Sequence, residues 1–468
     1  MSQSDLSVES PTTANLKNSP DEQGKLCLLE KIGYASGDFA SCLYYGIFMS
    51  FLSYFYTDIF GISAAVVATM ILVTRTWDWI NDPIMGMIAD RTRTKYGQFR
   101  PWLLWMCVPF GIVGIATFTT FDLSPSAKIV YAYVTYTTLT MVYTAINIPY
   151  SSLMGVMTSR SADRTDLASY RFIGAFSATL FVNGTLLYFV KLFGQGDQKM
   201  GFTYAVCVYA IMAVGLFLLT FFTCKERISA PVQQSTSVKK DLASLLKNGP
   251  WLAIIVVSSI TITWIGIRTG GTIYYFKYVC GEELWASTFL MVGSAVSIAG
   301  VMTSKYVVSF LGGKRKAFMA INFLAAFLLL AFYFVDAKNL TLIIIHQGLI
   351  SLVLAPLMPI YWSMIADTAD YGAMKLGQRS TGLLFSAGTF SSKIGWSIGP
   401  ALSLWLMSYY GFEANQIQSP SSIQGIQMIM SLVPAGIALL SGLSLFLYKI
   451  DSTTEAELEA FNLNKAKG

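Results

Sequence analysis

The sequence predicts an all-α membrane protein, with twelve transmembrane helices arranged as two six-helix bundles. Three observations carry that reading. Hydrophobic residues make up 54% of the chain and charged residues 12%, about half the charge of an ordinary soluble domain. Apolar runs of about 20 residues, enough to cross a bilayer core, recur along 468 residues. A long polar stretch, residues 225–250, divides these runs into two sets of six.

Residues 1–36 are rich in Ser, Asp, Glu and Asn, lack the apolar core of a cleavable signal peptide, and read as a cytoplasmic tail. The first bundle, 37–224, has candidate helices at 37–60, 64–89, 101–121, 127–155, 166–192 and 201–223. The linker 225–250 carries Pro231, a Gln-Gln-Ser-Thr-Ser run and five Lys/Arg. The second bundle, 251–448, has candidates at 251–279, 284–310, 316–335, 339–365, 380–409 and 424–448. Residues 449–468 read as a second cytoplasmic tail. Lys and Arg concentrate in alternate loops, around Arg91, Arg93 and Lys95, then Arg160 and Arg164, the linker, Lys314 to Lys316, and Lys375 with Arg379. By the positive-inside rule both termini are cytoplasmic.

Several function classes lack their parts. The net charge of +6 comes from basic residues in short loops, so no nucleic-acid partner is expected. Six scattered cysteines include no CxxC pair, and His346 is the single histidine, so no zinc site or other cofactor is expected. No Gly-rich phosphate loop, HExxH or GxSxG motif points to an enzyme.

The informative residues are charges inside spans: Asp38, Arg75, Asp78, Asp82, Arg171, Arg268 and Lys393. Each would cost about 2.5–3.5 kcal/mol unpaired at the bilayer centre, so they must pair or be hydrated. Arg75, Asp78 and Asp82 follow an i, i+3, i+7 pattern and share one helix face. Lys393 stands alone in the eleventh span, which predicts that it meets the acids across a central cavity, with Asp78 as the expected partner. Structural salt bridges are the alternative. Asp90, Arg91, Arg160, Arg164, Asp367, Asp370 and Arg379 fall at cytoplasmic helix ends, where they are expected to form gate salt bridges. Trp79, Trp264 and Trp396 read as packing residues, His346 as a helix contact, and Pro83 and Pro149 as kinks.

Resemblances sharpen these expectations. The basic turns Gly86-Met-Ile-Ala-Asp90-Arg91-Thr-Arg93 and Gly312-Gly313-Lys314-Arg315-Lys316, at equivalent places in the two halves, resemble the loop signature of the major facilitator superfamily, and imply its fold. Gly37-Asp38-Phe39, Phe55-Tyr56-Thr57-Asp58, Trp77-Asp78-Trp79-Ile80-Asn81-Asp82-Pro83, Gly97-Gln98-Phe99-Arg100-Pro101-Trp102, Tyr143-Thr144-Ala-Ile-Asn147-Ile-Pro149-Tyr150, Tyr170-Arg171-Phe172 and Asp367-Thr-Ala-Asp370-Tyr371-Gly372 together resemble the glycoside–pentoside–hexuronide:cation symporter family. The resemblance implies a cation site at Asp78, Asp82, Asn81 and Thr144. It implies sugar contacts from Asp38, Tyr143, Asn147, Arg171, Arg268, Trp362 and Lys393, and charge pairing by Arg75 and Lys393.

Two departures from the melibiose permease pattern, Asn147 in place of an aspartate and Ser151 in place of a tryptophan, argue for a sugar other than melibiose. Arg268 is more similar to the pentoside and oligosaccharide branch, so a xyloside or other pentoside is the first expectation. The coupling ion is Na⁺ or H⁺: Asn81 and Thr144 suit Na⁺, and paired acids suit H⁺. The implied protein is a sugar:cation symporter of the bacterial inner membrane, functional as a monomer in the lipid bilayer. A drug:proton antiporter or a non-transporting membrane sensor on the same scaffold is the alternative.

Overall fold

The computed structural model describes residues 26–158, 161–227, 247–376 and 381–467. These form helices almost throughout. The first bundle is built of α1 (Leu28–Ser50), α2 (Ala64–Arg91), α3 (Arg100–Thr117), α4 (Pro125–Met157), α5 (Ser161–Gly194) and α6 (Gln198–Thr223). The second is built of α7 (Gly249–Tyr274), α8 (Trp285–Val301), α9 (Lys314–Phe332), α10 (Leu340–Leu354, resuming as Leu357–Leu376), α11 (Thr381–Tyr409) and α12 (Pro420–Met430, resuming as Leu432–Ser444). α13 (Ser452–Lys467) follows and packs on the second part of α10. No β-strand occurs among the described residues; a lone bridge joins Thr94 and Gly97.

Starts and stops follow local chemistry. Ser124, Asn248 and Ser419 accept hydrogen bonds from the first-turn N–H groups of α4, α7 and α12, each with proline in that turn. The start of α3 is capped from a distance. The Glu226 carboxylate accepts the N–H groups of Gln98, Phe99 and Arg100 at 2.7–2.9 Å. Gly97, at φ 111°, lies so close that a Cβ there would fall 2.5 Å from that carboxylate. Another carboxylate, Glu30, pairs with Arg227 at 2.5 Å. Burial pushes its pKa up, but Arg227 and the Cys27 N–H outweigh this and hold it below the usual value.

The structure modifies several expectations. α1 begins at Leu28, inside the expected tail, and then turns through a π-helical stretch at Phe55–Ile59. The expected C-terminal tail carries a helix. Both α2 and α4 run on as continuous helices past Pro83 and Pro149. Among the described residues, eight helices are long and apolar enough to span a membrane by composition alone. A ninth joins them if Trp285–Val301 and Ser304–Leu311, bent by 62°, form one span. α1, α2 and α11 are absent from that set. They are the helices that carry Asp38, the Arg75–Asp78–Asp82 stripe and Lys393.

Within the first bundle α1 packs on α5 and α6, and α4 on α2 and α3; within the second α7 packs on α11 and α12, and α8 on α10. The bundles meet through α2 with α11, α5 with α8, and α1 with α7. Small residues permit the tightest helix contacts. A Cβ on Gly399 of α11 would fall 2.7 Å from the Gly266 Cα of α7, and one on Gly174 of α5 would fall 2.4 Å from the Ala35 carbonyl of α1.

Candidate substrate and cation site

α2 delivers Asp78 and Asp82 to the bundle interface, and α11 delivers Lys393 to meet them. The Lys393 ammonium contacts Asp82 Oδ2 and lies 3.7 Å from Asp78 Oδ2. The expected partner was Asp78; the nearer one is Asp82, one helical turn further along. Thr144 of α4 donates within reach of both acids, at 3.0 Å from Asp78 Oδ1 and 3.1 Å from Asp82 Oδ1. Asp78 is 5% exposed, so its charge is stable there only with this company.

These side chains line a cavity of about 210 Å³ together with Arg75, Tyr143, Asn147, Tyr45, Thr389 and Trp396. Arg75 lines it but forms no ion pair within 4 Å among the described residues, and its Nε is unpartnered. Asn81 does not line this cavity and makes no side-chain hydrogen bond among the described residues. One residue before Asp82, it is turned about 100° around the helix. In this conformation it stands apart from the contacts that join Asp78, Asp82 and Thr144.

The sugar-facing candidates form a chain of contacts from the same cavity. Ser151 donates to Asn147 Oδ1 at 3.3 Å and accepts from Arg171 Nη2 at 3.2 Å. Arg171 in turn pairs with Asp38 at 3.3 Å and stands over the Tyr150 ring. Asp38 is 7% exposed. Two candidates stand apart. Trp362 packs at a tilt against Tyr361 in the α10–α11 contact and lines neither this cavity nor the next.

Arg268 is the other, lining a second cavity of about 360 Å³ between α1 and α5 of one bundle and α7, α8 and α10 of the other. Tyr45, Met49 and Trp396 line both cavities and so divide them. Sequence reasoning missed Gln347, whose Oε1 accepts from Arg268 at 2.6 Å. It also missed Asn183, which accepts from Ser50 at 3.1 Å and donates to Ser294 of the opposite bundle at 3.2 Å. An uncharged amide inside an apolar run was the available signal.

Only part of the expected gate lies among the described residues. Asp90 and Arg91 are exposed, and neither forms an ion pair among the described residues. Arg164 donates to the Thr158 and Gly155 carbonyls at the end of α4. Asp367 pairs with Lys314 of its own bundle at 2.6 Å, and Asp370 lies one turn further along α10. Arg160 and Arg379 lie outside the described residues. On this face the described ion pairs, including Lys31–Asp166 and Glu30–Arg227, stay within one bundle.

The bundles are also joined on the face opposite the termini. Asp58, past the end of α1, is paired with Lys277, past the end of α7, at 2.7 Å and also accepts from Tyr278. Lys277 donates to Asn415 Oδ1 at 2.9 Å, and Asn415 Nδ2 returns to the Asp58 carbonyl at 2.6 Å. Tyr54 and Gln198 both reach Glu283 across the same seam. Among the described residues, the ion pair across this seam is Asp58–Lys277.

Two six-helix bundles around an interbundle cavity, with ionised groups at its wall, define a membrane transporter of the major facilitator class. The chain belongs to the MFS/sugar transport protein family, whose model matches residues 33–452. It is 37% identical over 94% of its length to the putative glycoside/cation symporter YagG of Escherichia coli, covering 95% of that protein. It is 32% identical over 90% of its length to an isoprimeverose transporter of Lactiplantibacillus pentosus, covering 88% of that protein. Among solved structures it matches a D-xylose-proton symporter at TM-score 0.63 with 12% identity, covering 91% of this chain and 97% of that one. A bacterial homologue of the lysosomal transporter Spinster, inward-facing and unoccupied, matches at TM-score 0.67 with 11% identity over 92% and 97%. These two similarities bear on the fold.

Proposed function

We propose that the chain is a secondary active sugar transporter that moves a glycoside or oligosaccharide, with a xyloside or other pentoside first among them, together with Na⁺ or H⁺. The observation that carries this reading is the Lys393–Asp82–Asp78–Thr144 cluster, which draws two carboxylates and a hydroxyl from one bundle and an ammonium from the other. A cation at the two carboxylates would replace the ammonium as their counter-charge. That frees Lys393 toward the cavity and toward Asn147 and Arg171, whose amide and guanidinium groups suit sugar hydroxyls.

Coupling follows from charge. With the ion and sugar bound, the site is neutralised and the bundles can rock; with one of them missing, an uncompensated charge holds the carrier back. Entry of one positive charge is worth about 2.3 kcal/mol per 100 mV of membrane potential. The carrier acts as a monomer in a bacterial inner membrane with both termini in the cytoplasm. In that orientation the Asp58–Lys277 latch seals the outer face, and the conformation is inward-facing.

The relatives named as a glycoside/cation symporter and an isoprimeverose transporter support this reading. The test is counterflow in proteoliposomes with a panel of radiolabelled glycosides, followed by uptake under imposed Na⁺ or H⁺ gradients. Counterflow of at least one glycoside and its accumulation under one gradient are expected. Absence of counterflow with every sugar would favour the sensor alternative.

A further inference from the structure

α8 does not run straight on toward α9. It ends at Val301, and the next helical segment, Ser304–Leu311, is bent from it by 62°. The bend has a local cause. The Thr303 and Ser304 hydroxyls donate to the Gly300 and Val301 carbonyls, so side chains compete for acceptors that a continuing helix would use. The rise of α8 is about 25 Å, against a bilayer core about 30 Å thick. The bent segment rises about 12 Å, of which the bend leaves about 6 Å along the α8 direction. α8 starts beside Glu283 on the seam opposite the termini. Ser304–Leu311 therefore lies along the boundary of the core on the face of the termini.

The segment has 8 residues and none is buried. A helix this short is not stable alone in water, so its apolar faces need cover. Val307, Val308 and Leu311 pack on the core that α9 and α10 share. The other side is a stripe of Met302, Tyr306 and Phe310 at i, i+4 and i+8, exposed by 81%, 75% and 88%.

The cations around this stripe divide into used and unused. Lys314 pairs with Asp367, and Glu455, near the same turn, accepts the Lys314 N–H. Arg315 donates to the Leu445 and Phe446 carbonyls past the end of α12 and stands over the Phe446 ring. Lys305, in the first turn of the segment, and Lys316 are exposed and form no ion pair among the described residues. The Lys316 ammonium lies 4.0 Å from where a Cβ on Gly312 would stand, over the turn that closes the segment.

We infer that Ser304–Leu311 lies in the headgroup layer on the face of the termini and binds anionic phospholipid there. Tyr306 and Phe310 enter the acyl boundary, while Lys305 and Lys316 meet the phosphodiesters. Phe446, 62% exposed beside Arg315, extends the aromatic band to α12. Charge selects this occupant. A zwitterionic leaflet covers the stripe but gives the two ammonium groups no net counter-charge. A second copy docked by two-fold symmetry would set the same cations against each other. Each such lysine favours an anionic surface by about fivefold. The inference does not depend on which substrate is carried.

The test places the photoreactive p-benzoyl-phenylalanine at Phe310 of the full chain, reconstituted in phosphatidylcholine vesicles with about 30% phosphatidylglycerol. Adducts formed on irradiation are identified by mass spectrometry. The same probe at Ile211, 73% exposed in the middle of α6, is the control. At position 310 phosphatidylglycerol should be captured at roughly threefold or more above its share of the vesicle, and at position 211 in proportion to that share. K305Q/K316Q should bring position 310 down to the vesicle composition. K305R/K316R keeps both charges and should keep the enrichment.

Adducts at position 310 that follow the vesicle composition with both lysines in place would make this an ordinary lipid-facing helix and overturn the inference. Enrichment that survives K305Q/K316Q, or is lost in K305R/K316R, would overturn the role given to charge and the inference with it. Adducts joining two copies of the chain, or no lipid adduct at all, would show that something other than lipid covers the stripe.

Discussion

Lys393 of α11 sits against Asp82 of α2, with Asp78 3.7 Å away, so a contact between opposite charges near the middle of the molecule joins the two bundles. A rocking carrier must break or repartner such a contact in each cycle. Its strength is therefore part of the mechanism, and it can be measured.

The first prediction is thermodynamic. Lys393 and Asp82 are half-buried, with side chains 33% and 23% exposed, so removing one member should cost less than the roughly 3–5 kcal/mol typical of a fully buried pair. K393A and D82A should each lower the melting temperature in cation-free detergent, and the double variant should lose less than their sum. The same cycle with D78A should show weaker coupling, since Asp78 is the more distant acid. A coupling near zero for Lys393 with Asp82 would remove the proposed switch.

Coupling to the ion gives the second. D82N should abolish gradient-driven accumulation, while sugar counterflow persists at least in part. T144A leaves both carboxylates but removes a hydroxyl that donates to each. It should weaken cation-dependent stabilisation by roughly tenfold in apparent affinity, in line with one lost charge-assisted hydrogen bond. Uptake by D82N at the wild-type level would exclude Asp82 from the cation site.

Arg171 and Asp38 supply a third. They pair at 3.3 Å, and Ser151 ties Arg171 to Asn147 at the cavity wall. R171A and D38A should each reduce sugar affinity more than tenfold, more than about 1.4 kcal/mol. S151A should reduce it less, because Arg171 keeps its carboxylate partner. Affinities within a factor of about two in R171A and D38A would make the pair a structural bridge.

The latch on the face opposite the termini is the fourth. Asp58 is 6% exposed and joined to Lys277, Tyr278 and Asn415. Asn415 is held there at φ 60°, a conformation that asparagine tolerates better than most residues. D58N should shift the carrier toward the alternative state. Spin labels placed across that seam would report longer distances in the variant; an unchanged distance distribution would show that the latch does not hold the state.

Helix packing gives the last. Gly399 meets Gly266 backbone to backbone, so G399A must push α7 and α11 apart, and it should lower the melting temperature by several degrees. A Cβ on Gly436 of α12 would meet nothing within 4 Å. G436A should be neutral or slightly stabilising.

The architecture was legible in the chain because a membrane imposes simple rules. Backbone groups must be satisfied within each span, spans have a fixed length, and basic loops mark one side. Charges in apolar runs are equally conspicuous, so Asp38, Arg75, Asp78, Asp82, Arg171, Arg268 and Lys393 stood out before any fold was known. The resemblance of the motif around Asp78 and Asp82 implied a cation site for them.

Partnership was decided by tertiary structure. Asp78 and Asp82 share a helix face, and the depth at which α11 crosses α2 determines which of them meets Lys393. The same holds for the seam: Asp58 and Lys277 are 219 positions apart, and no local pattern joins them. Arg268 and Arg171 look alike as lone arginines in a span, yet one faces a carboxylate and the other an amide and two rings. Periodicity places a side chain on a face of its own helix. What stands opposite that face depends on how the helices pack, through contacts between residues far apart in the chain.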